Sequence, residues 1–300
     1  MSERILAVVN PAAGGGRCGR LAGPALARLR AQGIDFEVRE TRAPGEGSAL
    51  VREAYAQGWR RFLAVGGDGT AYEIVNGLFP AAERGPRASL AFLPLGTGNS
   101  FLRDFSTGGA DFALEALRAG RERPCDVMRL THAGGTLHYI NLMTLGFAAN
   151  VAALTNRRFK PLGALGYLLG VLVCLARLER RAFPLRVEGE AEADRRPCLF
   201  LSFSNSKFTG GRMLIAPDAD TSDGLIEYVR WGPIGRLSLL WNLRRLYDGS
   251  HIRHPQASRR AARRIEFELD AVVTAMVDGE VLELECRSLE VLPGALTVVA

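Results

Sequence analysis

A chain of 300 residues with 47% apolar and 23% charged side chains has the composition of an ordinary soluble globular protein, with enough length for two domains. Its net charge of +6, nearly all of it arginine, suits an anionic membrane surface or an anionic substrate, and the absence of a helix-turn-helix or RNA-binding signature excludes nucleic acid as an expected partner. The five cysteines (Cys18, Cys125, Cys174, Cys198, Cys286) are scattered, odd in number and form no CxxC pair, which implies reduced thiols, a cytoplasmic setting and no zinc site.

Met1-Ser2-Glu3-Arg4-Ile5 reads as a strand entry and not as a signal peptide. The apolar run Ile5 to Val9 ends at Asn10-Pro11 and a glycine-rich loop, Ala12 to Gly16. A helix is predicted over Leu21 to Gln32 with Gly33 as its C-cap. Phe36 to Val38 predicts a second strand that closes at Glu40-Thr41, and Ser48 is the expected N-cap of a helix from Ala49 to Gln57. Arg61 to Val65 is a third strand. It leads into Gly66-Gly67-Asp68-Gly69-Thr70 and then into the helical pattern of Ala71 to Phe79.

Glycines in that turn permit φ > 0 and a close backbone approach to a ligand. The N-terminus of the following helix suits phosphate. Asp68 would repel phosphate, so it implies the handling of a cation, a proton or a hydroxyl. GGDGT also fits a hairpin or a purely structural turn, but the helical pattern directly after it argues against a hairpin. Ser89 to Leu93 is a fourth strand, Pro94 to Ser100 a second glycine turn, and Phe101 to Phe105 a helical turn. Repeated strand–loop–helix units imply parallel crossovers, with all the glycine turns on one carboxyl edge of the sheet.

From about Val127 the pattern changes to strands: His138 to Leu145, Pro184 to Val187, Pro197 to Ser204, Gly224 to Arg230. Ile265 to Leu269 and Leu282 to Cys286 alternate at period two, as antiparallel sheets do. The expected architecture is an α/β nucleotide-binding domain with a parallel sheet (1–128), then an antiparallel β-sandwich domain (129–290). A C-terminal strand (291–300) is free to return to either domain. The chargeless stretch Pro161 to Ala176, flanked by Arg157, Arg158, Lys160 and Arg177, is too short to span a bilayer, which takes about 20 residues. It reads either as a core helix or as a membrane-docking helix.

These motifs resemble the diacylglycerol-kinase-like lipid kinases, the group that includes bacterial diacylglycerol kinases and the sphingosine and ceramide kinases. The resemblance rests on Asn10-Pro11 with its glycines, GGDGT with Glu73 and Asn76-Gly77, and Pro94 to Asn99 with Arg103. It extends to Gly146 to Ala149, Gly210-Gly211 through Ala216-Pro217, Ser222 to Leu225, and Val277 to Glu280. Two positions depart from the pattern: Ser100 and Ala148 stand where many members carry aspartate.

The resemblance implies ATP and Mg²⁺ as cofactors and a lipid alcohol as acceptor, at an anionic membrane surface on the inner face of the membrane. Diacylglycerol ranks first and a sphingoid base or ceramide next. Nucleotide contacts are expected from Asn10, Thr41, Gly66, Gly67, Asp68, Gly69, Thr70, Gly96, Thr97 and Asn99. Asp278 matches the family's general base, although Val-Asp-Gly-Glu is also hairpin chemistry. Asp68 is expected to reach the nucleotide's Mg²⁺ or to orient the acceptor. Asp220, Asp223 and Leu225 match a structural Mg²⁺ site, with a plain acidic turn as the other reading. An NAD-kinase-like enzyme and a catalytically silent binding module are the alternatives, and a homodimer is left open.

Overall fold

The computed structural model describes residues 4–159 and 163–300. The first half is built from β1 (Ile5–Val9), α1 (Arg17–Ala31), β2 (Phe36–Glu40), α2 (Glu46–Ala56), β3 (Arg61–Gly66), α3 (Asp68–Leu78) and β4 (Ser89–Pro94). β1 lies between β2 and β3, and β4 joins β3, all in parallel. Apolar runs without alternation are what a sheet covered on both faces requires. Leu6 and Val8 pack with Val51 and Ile74 of α2 and α3. Ile5, Ala7 and Val9 pack with Ala22 and Leu29 of α1 on the other face.

Two details differ from expectation. α2 begins at Glu46, so Ser48 is not its cap; the Ser48 hydroxyl instead donates to the Glu73 carbonyl at 2.8 Å. The cap comes from α3: the Glu73 carboxylate accepts the Gly45 and Gly47 N–H groups, each at 2.8 Å. A helix terminus takes whatever acceptor reaches its free N–H groups, and tertiary packing supplied a better one.

The second half adds α4 (Gly109–Ala119), β5 (Glu122–His132), β6 (Gly135–Tyr139), β7 (Leu142–Gly146), α5 (Phe147–Leu154), α6 (Gly163–Ala176), β8 (Leu185–Val187), β9 (Phe200–Ser204) and β10 (Ile226–Trp231). Then come α7 (Arg236–Asn242), α8 (Arg245–Asp248), β11 (Ala257–Ala262), β12 (Arg264–Phe267), β13 (Val273–Val277), β14 (Glu280–Leu284) and β15 (Cys286–Val299). One antiparallel sheet of six strands has the order β11-β10-β9-β7-β13-β14. The other is nine-stranded and continuous with the parallel sheet. β15 pairs along β5, and its end, Thr297 to Val299, pairs in parallel with β4. The last strand thus returns to the first half, which its sequence left undecided. Met128, Tyr139, Phe203, Ile265 and Leu289 fill the core between the antiparallel layers.

The stretch 138–145, expected as one strand, is divided between the two sheets at Ile140-Asn141. α6 overlaps the chargeless stretch; Pro161 and Leu162 of that expectation, with the flanking Lys160, lie outside the described residues. Among the described residues no helix is long and apolar enough to cross a membrane.

The two halves are tied by α3. Asn76 donates its amide to the His138 carbonyl at 2.8 Å and accepts the His138 N–H at 2.9 Å, acting as one rung of a ladder to β6. Gly77 lets α2 approach: a Cβ there would lie 2.7 Å from the Ser48 carbonyl oxygen and from Val51 Cβ. In a free helix Gly→Ala stabilises by about 1 kcal/mol. Here the obstacle includes backbone, so Gly77→Ala is expected to destabilise by about 1–3 kcal/mol in urea unfolding; a stabilised variant would contradict this packing.

Candidate active site

Three loops meet at the carboxyl edge of the parallel strands. After β1, Asn10 turns its Oδ1 to the Ala12 N–H at 3.1 Å, and Gly14, Gly15 and Gly16 hold φ of 63°, 66° and 84°, the left-handed region glycine enters freely. The loop after β3 does otherwise. None of Gly66, Gly67 and Gly69 has positive φ, so the left-handed freedom expected of these glycines is not used. Space demands glycine there. A Cβ on Gly66 would lie 2.2 Å from Thr70 Oγ1, and one on Gly69 would lie 2.8 Å from Glu280 Oε1.

The loop after β4 lies directly on GGDGT. The Leu95 and Gly96 N–H groups both donate to the Gly66 carbonyl at 2.8 Å. A Cβ on Gly96 would lie 2.6 Å from Gly67 Cα. Asp68 opens α3 and secures this contact, accepting the Ser100 N–H at 2.9 Å. Burial raises the Asp68 pKa above the usual carboxylate range, while the Ser100 and Phe101 N–H groups oppose the shift. Ser100, one of the two departures from the family pattern, passes the chain of contacts onward: its Oγ accepts the Gly211 N–H at 2.9 Å. Asp104 makes a parallel tie, taking the Lys207 N–H on both carboxylate oxygens.

Asp278 approaches from the second half. It sits with Gly279 on the two-residue turn between β13 and β14, at φ of 47° and 92°, the left-handed pair a tight hairpin requires. The hairpin reading of this residue therefore holds, and the same residue lines the cavity described below. Its carboxylate is buried and accepts three backbone N–H groups: Ile140 at 3.1 Å, Asn141 at 3.0 Å and Leu142 at 3.0 Å. Burial raises its pKa to about 7; the three N–H groups oppose the rise, and the nearby Asp68 charge adds to it.

One cavity of about 880 Å³ joins these pieces. Its polar end is lined by Asn10, Gly67, Gly69, Thr70, Thr97 and Asp278, and Asp68, Gly96 and Glu280 also border it. Its other end is apolar, lined by Phe147 and Val151 of α5, Val171 of α6, Phe200, Trp231 and Leu239. Ala148, the second departure, lies in this wall. The Thr70 hydroxyl is buried at the polar end without a protein partner. Such an arrangement can hold phosphate oxygens beside a helix N-terminus and an alkyl chain on the far side, with a carboxylate between them.

Thr41, Gly66 and Asn99 do not line this cavity. Thr41 folds back on Val9, donating its N–H to that carbonyl at 2.8 Å. Gly66 and Asn99 border a small void behind the loops, with Phe92 and Phe101. Asp220, Asp223 and Leu225 lie elsewhere. Asp220 accepts the Ser222 N–H at 2.9 Å, and Asp223 the Leu225 N–H at 2.9 Å. Burial raises the Asp223 pKa, and the charges of Asp220 and Asp126 add to that. Among the described residues no group of three or more His, Cys, Asp or Glu is placed to hold a metal ion. Asn141, which lines the cavity and accepts the Ser206 hydroxyl, was not singled out from the sequence; an amide inside an apolar run was the available signal.

The contact between the two loops is testable by comparing neighbours. Gly96→Ala must force the loops apart and is expected to cost about 1–3 kcal/mol of stability. A Cβ on Gly67 meets Gly96 Cα at an ordinary 3.4 Å, so Gly67→Ala is expected to stay within about 1 kcal/mol of wild type. Thermal unfolding of both variants decides; equal costs would contradict the geometry.

Comparison with known proteins finds a family match for each part of the chain. Residues 4–130 match the diacylglycerol kinase catalytic domain. Residues 141–300 match the YegS C-terminal NAD kinase beta sandwich-like domain. A diacylglycerol kinase of Mycobacterium tuberculosis strain H37Rv is 28% identical over 300 residues, covering 98% of this chain and 94% of its own. A protein of Pseudomonas fluorescens named as a YegS-like lipid kinase is 33% identical over 278 residues, covering 91% and 87%. The fold is shared with the crystal structure of a diacylglycerol kinase from Bacillus anthracis, at a TM-score of 0.69 and 21% identity over 99% of this chain and 96% of that one. The chain therefore belongs to the diacylglycerol-kinase and YegS-like family of lipid kinases, enzymes for which ATP is the phosphoryl donor.

Proposed function

We propose that the acceptor is a bilayer lipid alcohol, diacylglycerol first and a sphingoid base or ceramide next, and that Asp278 is the general base. The observation that carries this reading is the mixed lining of the cavity: glycine-loop residues and hydroxyls, with Asp278 among them, and beside them a wall of apolar side chains. A dinucleotide acceptor, as in an NAD-kinase-like enzyme, would leave that apolar wall facing polar groups. A silent binding module would not need two buried carboxylates in one cavity.

In this reading the N–H groups of the GGDGT turn, the Thr70 and Thr97 hydroxyls and Asn10 hold the phosphates of ATP. Asp68 keeps the two glycine loops in contact. An ionised carboxylate has about four acceptor positions. Three on Asp278 are taken by backbone N–H groups, which leaves one for the lipid hydroxyl. Asp278 takes the hydroxyl proton as the oxygen bonds to the γ-phosphorus, and the bond to the β-phosphate oxygen breaks to release ADP. Mg²⁺ bound with the nucleotide would neutralise the developing charge, and Asp68 is the carboxylate we assign to hold it. Lipid docking would be peripheral, at an anionic membrane surface.

Incubation with labelled ATP, Mg²⁺ and mixed lipids tests the acceptor; label on NAD and on no lipid would overturn the reading. Asp278→Asn is expected to lower turnover by about 10²–10⁴-fold while the chain still binds the ATP analogue and still folds by circular dichroism, with a lowered Tm because an amide NH₂ replaces one acceptor oxygen of the 140–142 corner. Retention of more than about a tenth of wild-type turnover would remove Asp278 from the base role. The same carboxyl sets opposite pH trends. Its folded pKa is raised to about 7, so its contribution to stability is full below the ordinary carboxylate range and is lost as pH rises through 7. The base is ionised only above that range, so kcat/KM should climb as stability falls, and parallel trends would contradict the assignment.

For the loop at Asp220, Asp223 and Leu225 we propose a structural Mg²⁺, supported by the mutual repulsion of Asp126, Asp220 and Asp223. Mg²⁺ should then raise the Tm of the wild type and not of Asp223→Asn. An equal rise in both would assign the effect to another site.

A further inference from the structure

The segment of α7 and α8, residues 236–248, is apolar on two opposite sides. Leu239, Leu243 and Leu246 face inward and line the cavity. On the other side Leu237 is 75% exposed, Leu240 44% and Trp241 84%, with exposed Arg244 one turn further on. These four positions fall at i, i+3, i+4 and i+7, one stripe of a helix. A soluble helix buries one stripe and wets the other with polar groups; here the wet stripe holds two leucines and a tryptophan.

The surroundings select the occupant. Arg236, Arg244 and Arg245 are exposed along this segment, and Arg180 lies at its start, bonded to the Ile234 carbonyl at 3.2 Å. The segment's acid, Asp248, is taken up by the Ser250 N–H and hydroxyl at 2.9 and 2.6 Å. On the adjoining α6, Leu172 is 47% exposed, one turn before Leu175, which packs in the same cluster as Leu239. An exposed tryptophan and leucines framed by arginines match the interfacial layer of an anionic bilayer, where the rings sit at headgroup depth and guanidinium groups meet phosphates.

We propose that the outer face of 236–248, led by Leu237 and Trp241, inserts into the headgroup layer of an anionic membrane and so carries the apolar wall of the cavity to its substrate. This rests on the bilayer-lipid reading of the acceptor. Seated this way, the segment has lipid on both sides: bilayer outside, bound chain inside. Its two-sided apolar character then has one cause. Arg157 and Arg158 are exposed ahead of α6; among the described side chains of 150–159 no large apolar one is exposed beside them, and they serve as the comparison.

The test uses the full chain with phosphatidylcholine vesicles containing phosphatidylglycerol and diacylglycerol, some with brominated acyl chains. Brominated chains should quench tryptophan emission strongly in the wild type, and weakly in Trp241→Phe, where Trp59 and Trp231 remain. Leu237→Ser with Trp241→Ser should lower vesicle co-sedimentation and activity on vesicle-borne diacylglycerol by at least about tenfold. Activity on a short-chain, water-dispersed diacylglycerol should be unchanged. Arg157→Gln with Arg158→Gln should have the smaller effect on co-sedimentation. Unaltered quenching without Trp241, or equal co-sedimentation of the double serine variant, would overturn the proposal. So would a dimer of the wild type in vesicle-free solution that the serine variant dissolves, since the face would then be a protein interface. Quenching of Trp241 with no lipid phosphorylated in either form would leave the docking face standing and remove the acceptor reading instead.

Discussion

A carboxylate that turns a corner of the chain underlies the fold and, in the proposed reading, the chemistry. Between β6 and β7 the backbone leaves the nine-stranded sheet for the six-stranded one; at that corner the N–H groups of Ile140 and Asn141 lie between the strands, and that of Leu142 opens β7. Asp278 supplies the acceptor for all three. Unpaired buried N–H groups would each cost about 1–3 kcal/mol, so the corner and the hairpin hold each other in place. The same burial that makes the carboxylate structurally effective holds its proton up to about 7, where a base can work near neutrality. In the proposed reading, structure and reactivity come from one desolvated group.

Around it, the GGDGT signature separates into parts with different tasks. Glu73 caps α2, Asn76 ties α3 to β6, and Gly77 permits the close packing of α2 on α3. These residues fix where the N-terminus of α3 points without lining the cavity themselves. Gly67, Gly69 and Thr70 do line it. Asp68 belongs to both groups, facing the cavity while holding the Ser100 N–H. Ser100 then continues the contact to Gly211 in the other half. The hydroxyl at position 100 lowers the Asp68 pKa, where a carboxylate in its place would raise it.

Much of this was legible in the sequence because its signals are local. Strands β1, β3 and β4 read as uninterrupted apolar runs, and such runs are buried on both faces. Asp278-Gly279 reads as a tight turn because few residue pairs accept positive φ together. What stayed hidden depends on distant partners. The break at Ile140-Asn141 is set by a carboxylate on a hairpin far along the chain. The cap of α2 is set by Glu73. α7 lacks a single apolar stripe, so its periodicity is blurred, although Gly235 before it and Gly249 after α8 mark its ends. Residues 109–119 carry an ordinary amphipathic pattern, with Ala113, Leu114, Ala116 and Leu117 buried, and the signal for that helix was available.

The central claim is that one cavity serves both substrates and brings the lipid hydroxyl to Asp278. A crystal structure with a non-hydrolysable ATP analogue and diacylglycerol bound together tests it most directly. The account predicts the phosphates against Gly67, Gly69 and Thr70, and the acyl chains among α5, α6 and α7. The free hydroxyl should lie within hydrogen-bond distance of the Asp278 carboxylate. A lipid seated outside this cavity, or a hydroxyl directed at another residue with Asp278 out of reach, would contradict it.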